Sequence, residues 1–305
     1  MINHRKICIP ILFALGLVLI SILSCKGNDE NEETILKGTT SILVDESVLP
    51  IIEDEVTVFE NQYKAKIKLI PQSEKESVLA LVSNKANTII LPRKLNIEEK
   101  AIFKNKKIIP IETPFAIDGI ALIKNKTTKD TIQDVTEIVD FLKGNPSKIK
   151  GLVFDNANSS SARYFLELAG LKNMPENGMY SFKTNQEVFQ YVAQNDGMIG
   201  FVGMNWIEQP NAAIKKSLEN ITILSVKDKL SNEYVYPSQE NIGTRKYPLA
   251  RVLYIINCQG YSGLGTGFSS FISGEVGQRI VLKSGLAPIR EPSRNIIIRN
   301  KIESK

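Results

Sequence analysis

The chain has 305 residues, with 38 Lys and Arg against 33 Asp and Glu, and one histidine, His4. The net charge of +5 comes without a basic run or an interleaved aromatic stripe, which argues against a nucleic-acid surface. With no histidine after position 4, Ser-His-Asp and Cys-His catalysis and the commonest zinc sites are excluded, and the scattered acids offer no spaced cluster for calcium or magnesium. The composition therefore favours a protein that is not an enzyme and holds no metal or cofactor.

His4, Arg5 and Lys6 form a basic start, Ile7 to Ser24 is an apolar run, and the small Ser24 precedes Cys25. This is the order of a secretory signal. Ile22-Leu23-Ser24-Cys25 also resembles the lipobox of bacterial lipoproteins, which implies removal of residues 1–24 and acylation of Cys25. Several acyl chains anchor a protein far better than one. The competing reading is an uncleaved anchor, at the short end for a membrane span. Without residues 1–24 the chain keeps 281 residues, 36 basic and 33 acidic. Cys8 lies in the signal, and acylated Cys25 would leave Cys258 with no partner for a disulfide. Cys258 follows the apolar run Val252–Ile256 and reads as a small packed residue. Residues 25–34 are polar and acidic, a disordered tether. The lysine- and asparagine-rich composition and this tether favour the outer membrane, on its periplasmic or surface face, over the cytoplasmic membrane.

From Ile35 onward short strands and helices alternate. Strands are predicted at Ser41–Val44, Ala65–Pro71 and Thr88–Leu91, with helices at Val48–Tyr63, Glu74–Asn84 and from Asn96 to Phe103. Ile117–Lys124 reads as a buried strand, and the polar residues 125–130 break the series. Helices then follow at 133–143, Ser159–Ala169 and Asn185–Gln194, with strands at Gly151–Phe154 and Met198–Val202. Gly243–Tyr247 reads as a connecting stretch before a strand at Leu249–Ile256 and a helix at about Gly267–Lys283. Alternation of this kind implies βαβ units and a mainly parallel sheet. Two αβ lobes fit: residues 35–124 begin the first, 125–245 form the second, and 246–305 return to the first.

Ser47, Ser73 and Ser159-Ser160-Ser161 each stand at a predicted helix start. Free N–H groups and a partial positive charge make such starts good anion cradles, and hydroxyls add donors. Plain N-capping explains any one of them, since serine is a preferred cap. The triple serine exceeds what capping needs. Gly263-Leu264-Gly265-Thr266-Gly267 lacks the lysine of a phosphate loop and reads as the turn into the last helix. Phe201, Met204 and Trp206 read as lobe core more readily than as a stacking box.

Four segments carry a resemblance. Ser159-Ser160-Ser161 after Val153-Phe154 resembles the strand-then-Ser-Gly-Thr segment of phosphate ABC-transporter substrate-binding proteins. Gly197-Met198-Ile199-Gly200-Phe201-Val202-Gly203 is similar to that family's Gly-Ala-Ile-Gly-Tyr-Val-Gly strand, and residues 247–255 to its Tyr-Pro-Leu-x-Arg-x-Leu-Tyr-Ile segment. Residues 277–288 match its Gly-Gln-x-Ile-x-x-Lys-x-Gly-x-x-Pro ending. The resemblance implies the type II periplasmic-binding-protein fold, two αβ lobes with a hinge and a ligand cleft. It also implies a monomeric, exported, lipid-anchored solute-binding protein that captures a small oxyanion, phosphate first, for an ABC-transporter permease or another envelope complex. On this reading Ser47, Ser73 and Ser159–Ser161 hold the oxyanion, and Arg93 or Arg163 balances its charge. The sequence also departs from the family: Asp155 stands about where the family has an arginine, Asp45 and Glu46 flank Ser47, and Pro92-Arg93-Lys94 replaces a loop that commonly carries an aspartate. Acids facing a dry cleft would weaken a dianion by several kcal/mol. The alternative is a scaffold or interaction lipoprotein that keeps the fold without a ligand. A phosphatase-like or transferase activity finds no activated nucleophile.

Overall fold

The computed structural model describes residues 33–227 and 232–293. The expected signal, Cys25 and nearly all of the expected tether lie outside the described residues. The described chain opens with β1 (Lys37–Asp45), a 3-10 turn at Glu46–Val48, α1 (Leu49–Gln62), β2 (Lys64–Gln72), α2 (Glu74–Val82), β3 (Thr88–Leu91) and α3 (Ile97–Asn105). β1 pairs in parallel with both β2 and β3. Local chemistry fixes the helix starts. Ser73 and Asn96 each form a reciprocal capping box with the glutamate three residues on, Glu76 and Glu99.

β4 runs for 15 residues, Ile111–Asn125, six residues earlier than its buried stretch predicts. The second αβ series is β5 (Ile132–Asp134), α4 (Val135–Leu142), β6 (Gly151–Phe154), α5 (Ser160–Ala169), β7 (Met179–Ser181), α6 (Asn185–Gln194) and β8 (Met198–Gly203). Short pieces follow: α7 (Met204–Glu208), α8 (Ala212–Leu218), β9 (Ile221–Ile223), β10 (Ser225–Lys227) and β11 (Tyr234–Val235). None of these five, nor β5 or β7, shows in the sequence pattern, because two- to seven-residue elements carry too few apolar positions to display a period.

The chain then passes through α9 (Gln239–Gly243), inside which the predicted connecting stretch begins, to β12 (Ala250–Asn257). β12 lies antiparallel between β3 and β4. α10 (Leu264–Ser273), α11 (Glu275–Lys283) and β13 (Ala287–Pro288) complete the described chain. The single predicted last helix is thus two. Gly274 is extended (ψ 179°), and a Cβ on Gly277 would collide with the Ile272 backbone, so the second segment folds back closely on the first.

The main sheet runs β2-β1-β3-β12-β4-β8-β6-β7. β4 changes partner midway: residues 111–119 pair with β12 and residues 120–123 with β8. The ladder therefore divides at Gly119/Ile120, inside a strand that the sequence pattern assigned whole to one lobe. Each half buries its own aromatics. Phe59 packs on Phe268 and Phe271, and Phe154 stacks on Phe201 at 4.4 Å. Each such ring, fully buried, is worth roughly 1.5–3 kcal/mol.

Candidate functional site

The C-terminal ends of β1 and β6 face each other across the seam between the two halves, the usual place for ligands in α/β folds. β1 delivers Asp45, and the 3-10 turn delivers Glu46 and Ser47. β6 delivers Asp155, and the start of α5 delivers Ser159, Ser160 and Ser161. All seven are buried.

The centre of the seam is one hydrogen-bonded cluster. Arg251, from β12, donates through Nη1 to Ser160 Oγ at 3.0 Å and through Nη2 to Ser47 Oγ at 3.0 Å. Its Nε and Nη2 also donate to Asp118 Oδ2, at 3.1 and 2.9 Å. Ser160 Oγ donates to Asp45 Oδ1 at 3.2 Å, and Ser47 donates to the same oxygen from its hydroxyl and, at 3.0 Å, from its backbone N–H. The two serine hydroxyls lie 3.3 Å apart, although 113 residues separate them in sequence. Of the expected residues, Ser47 and Ser160 are brought together at the centre of the seam.

The other expected residues are placed differently. Ser73 Oγ donates to Glu76 Oε2 at 2.7 Å within its capping box. Ser159 caps α5 by accepting from Ala162 N at 3.3 Å. Ser161 Oγ is buried with no partner among the described residues. Arg93 and Arg163 are already paired: both donate through Nε to Glu74 Oε1, at 2.7 and 2.6 Å, and they also bond Glu99 and Glu167 respectively. Glu74 is thus a bridge from one lobe to the other at the mouth of the seam.

Further contacts close the seam behind the cluster. Asn205 Nδ2 donates to Ser47 O at 2.8 Å, and Trp206 Nε1 donates to Glu46 O at 3.2 Å. Asn185 donates to the Glu46 carboxylate from its side chain and backbone. Gly203 sits so close to this turn that a Cβ would collide with Ser47 O. Phe201, Met204 and Trp206 are all core, and Trp206 also reaches the seam through its Nε1 donation to Glu46 O.

Burial raises the carboxyl pKa values here. Glu46 is pushed up to about 8 by desolvation and then by nearby Asp155. Asp155 is pushed up to about 7 by desolvation and then by Asp45. Asp45 and Asp118 are also raised by burial, with Arg251 opposing. At neutral pH Glu46 is therefore largely uncharged and Asp155 partly so, which relieves much of the negative charge that the sequence places in the seam. Cys258, half-buried, is pushed up to about 11 by burial, which leaves it a thiol rather than a nucleophile. Among the described residues no group of three or more His, Cys, Asp or Glu could hold a metal ion.

Sequence reasoning overlooked Arg251, Asp118 and Asp45 as site residues. A signal was available for the first two: Asp118 and Arg251 each interrupt an otherwise apolar strand, and a charge inside such a strand needs a buried partner.

A family model described as a PBP superfamily domain matches residues 29–275. A curated relative, the phosphate-binding protein PstS of Borreliella burgdorferi, is 25% identical, covering 93% of this chain and 99% of that protein. The fold is similar to a putative phosphate ABC transporter substrate-binding protein with bound phosphate from Clostridium perfringens, at TM-score 0.67 and 21% identity, covering 83% of this chain and 100% of that one. It is also similar to an ABC-type phosphate transport receptor from Vibrio cholerae, at TM-score 0.62 and 18% identity, covering 82% and 100%.

Proposed function

The chain belongs to the PBP superfamily, with the type II periplasmic-binding-protein fold, and from that premise we propose that it is a solute-binding protein whose cleft recognises a phosphate group. The observation that carries this reading is the convergence of Ser47 and Ser160, from opposite sides of the seam, on the Arg251 guanidinium at 3.0 Å each. Two hydroxyls, the N-terminus of α5 and a guanidinium are the donors an oxyanion needs. Arg251, rather than Arg93 or Arg163, is the guanidinium at this point: it is ion-paired with Asp118 yet still donates to both hydroxyls, whereas Glu74, Glu99 and Glu167 hold the other two at the mouth. Asp45 now accepts from both hydroxyls. On binding, the hydroxyls turn from Asp45 to the ligand, and burial, which raises the Asp45 carboxyl's pKa against the opposing pull of Arg251, makes that carboxyl easier to protonate beside an anion.

Calorimetric titration of the protein with inorganic phosphate and sulfate tests this. Each charge-assisted hydrogen bond is worth roughly 1.5–3 kcal/mol, so the Ser47→Ala, Ser160→Ala double variant is expected to bind phosphate at least about a hundredfold more weakly. No heat from either anion with the folded wild-type protein would overturn the reading. It would favour instead a ligand-free envelope scaffold, for which Asp45 satisfying both hydroxyls internally is the supporting observation.

The named relatives are binding proteins of phosphate transport, and a membrane permease is the partner we infer for this chain. Among the described residues no helix is long and apolar enough to cross a membrane. We attribute membrane attachment to acylated Cys25. Cys25→Ser is expected to move the protein from the membrane to the soluble fraction and to abolish labelling by a fatty-acid analogue. A variant that stays membrane-bound would refute the anchor.

A further inference from the structure

The donors of the cleft are accounted for by an oxyanion, but its acceptors are not. Asp45 Oδ2, Asp155 Oδ1 and Glu74 Oε2 are buried without a hydrogen-bond partner among the described residues, on side chains 0%, 2% and 2% exposed. Asp45 and Glu74 come from the first lobe and Asp155 from the second. The three sense one another: Glu74 acts electrostatically on Asp45, and Asp45 on Asp155. A buried acceptor that meets no donor loses its hydration without return. Bare phosphate brings at most one or two protons to this row of oxygens.

Beside Glu74 the seam opens into a cavity of about 490 Å³ whose wall includes Glu74, Val78, Ser159, Leu166, Leu171 and Met174. Ser159 opens the serine run of α5, and Glu74 carries one of the unpartnered oxygens, so both belong to the site and to the cavity wall. Arg93 and Arg163 also stand in this wall, each paired with carboxylates, and the exposed Lys75 and Lys172 line its rim. The wall combines apolar side chains with acceptors. It suits a small organic body that carries donors.

We propose that the physiological ligand is a phosphate monoester of a polyol or amino alcohol. Its phosphate lies at Ser47, Ser160 and Arg251, and its organic body lies in the mouth cavity with a hydroxyl or ammonium group donating to Glu74. This rests on the oxyanion reading above and names the substrate class within it.

Calorimetry on the full-length protein in detergent, with inorganic phosphate, methyl phosphate and glycerol 3-phosphate, tests it. Glycerol 3-phosphate is expected to bind at least about tenfold more tightly than either of the others, the gain of one well-placed hydrogen bond. Ala157 is an exposed residue of the cavity wall that takes no part in the cluster. Ala157→Trp should fill the cavity and remove that gain, leaving inorganic phosphate within about twofold of wild type. Glu74→Gln should also reduce the gain. Inorganic phosphate binding as tightly as the polyol ester would overturn the proposal while the oxyanion reading stands. Equal weakening of both ligands by Ala157→Trp would overturn the placement of the body. Silence with all three ligands would refute the oxyanion reading itself.

Discussion

Arg251→Ala is expected to be the most damaging single substitution at the site, lowering unfolding free energy by about 3–5 kcal/mol and abolishing oxyanion binding. Asp118 is completely buried, and its ion pair is with Arg251, at 2.9 Å. Removing the guanidinium strands the Asp118 carboxylate, and it also strips Ser47 and Ser160 of their charged donor. For a domain of this size such a loss corresponds to a melting temperature lower by roughly 10 °C. Arg251→Lys retains the charge but lacks the planar fork that reaches Asp118, Ser47 and Ser160 together, so it should recover only part. Pairing Arg251→Gln with Asp118→Asn removes both charges and should recover several kcal/mol relative to Arg251→Ala. Thermal and denaturant melts of these variants beside the wild type check this. An Arg251→Ala protein as stable as wild type would show that Asp118 is not held by this pair.

The ligand-free cleft should also open as pH rises. A carboxyl whose folded pKa lies above its unfolded value binds more protons when folded, so its contribution is fully present at low pH and is lost as pH climbs. For Asp155 the loss runs between 3.8 and about 7, and for Glu46 between 4.5 and about 8. Each tenfold difference in proton affinity between the folded and unfolded chain is worth about 1.4 kcal/mol, so the ionised pair opposes closure by several kcal/mol. Opening the seam relieves this, because Glu46 is buried against Asn185 and Asp155 beside Asp45, each from the other side. Trp206 is the only tryptophan in the chain and bonds the Glu46 carbonyl across the seam, so it reports the change directly. Its emission is expected to shift to the red between about pH 6 and pH 9, and the shift should disappear in Glu46→Gln. Glu55 provides the control. It lies in α1 with both carboxylate oxygens buried and unpartnered among the described residues, and burial raises it to about 9. Glu55→Gln should raise the melting temperature at alkaline pH and leave the Trp206 transition in place. Emission that does not change with pH in the wild-type protein would refute proton-linked opening.

The sequence by itself determined the elements that are long or strongly patterned, and the starts of several helices. α1, β1, β2, β3, β6 and β8 follow from runs and spacings of apolar residues, and Ser73, Asn96 and Ser159 mark helix starts through their own side chains, whereas residues 264–267, read as a turn, form the first turn of α10. Their physics acts within one or two turns of chain. Ser47 and Ser160 were readable as hydroxyls at helix starts for the same reason. The tertiary structure alone decided what those donors meet. Arg251 comes from a strand 91 residues after Ser160, and Asp118 from another strand 133 residues before Arg251. Nothing local in either strand says which partner it faces. Arg93 and Arg163 illustrate the converse. Their charge was plain in the sequence, but Glu74, reached from opposite lobes at 2.7 and 2.6 Å, holds them away from the Ser47–Ser160 cluster. The state of the acids was also undecided until the fold closed, because a carboxyl's pKa is set by the water it loses, and only packing removes the water from Glu46 and Asp155.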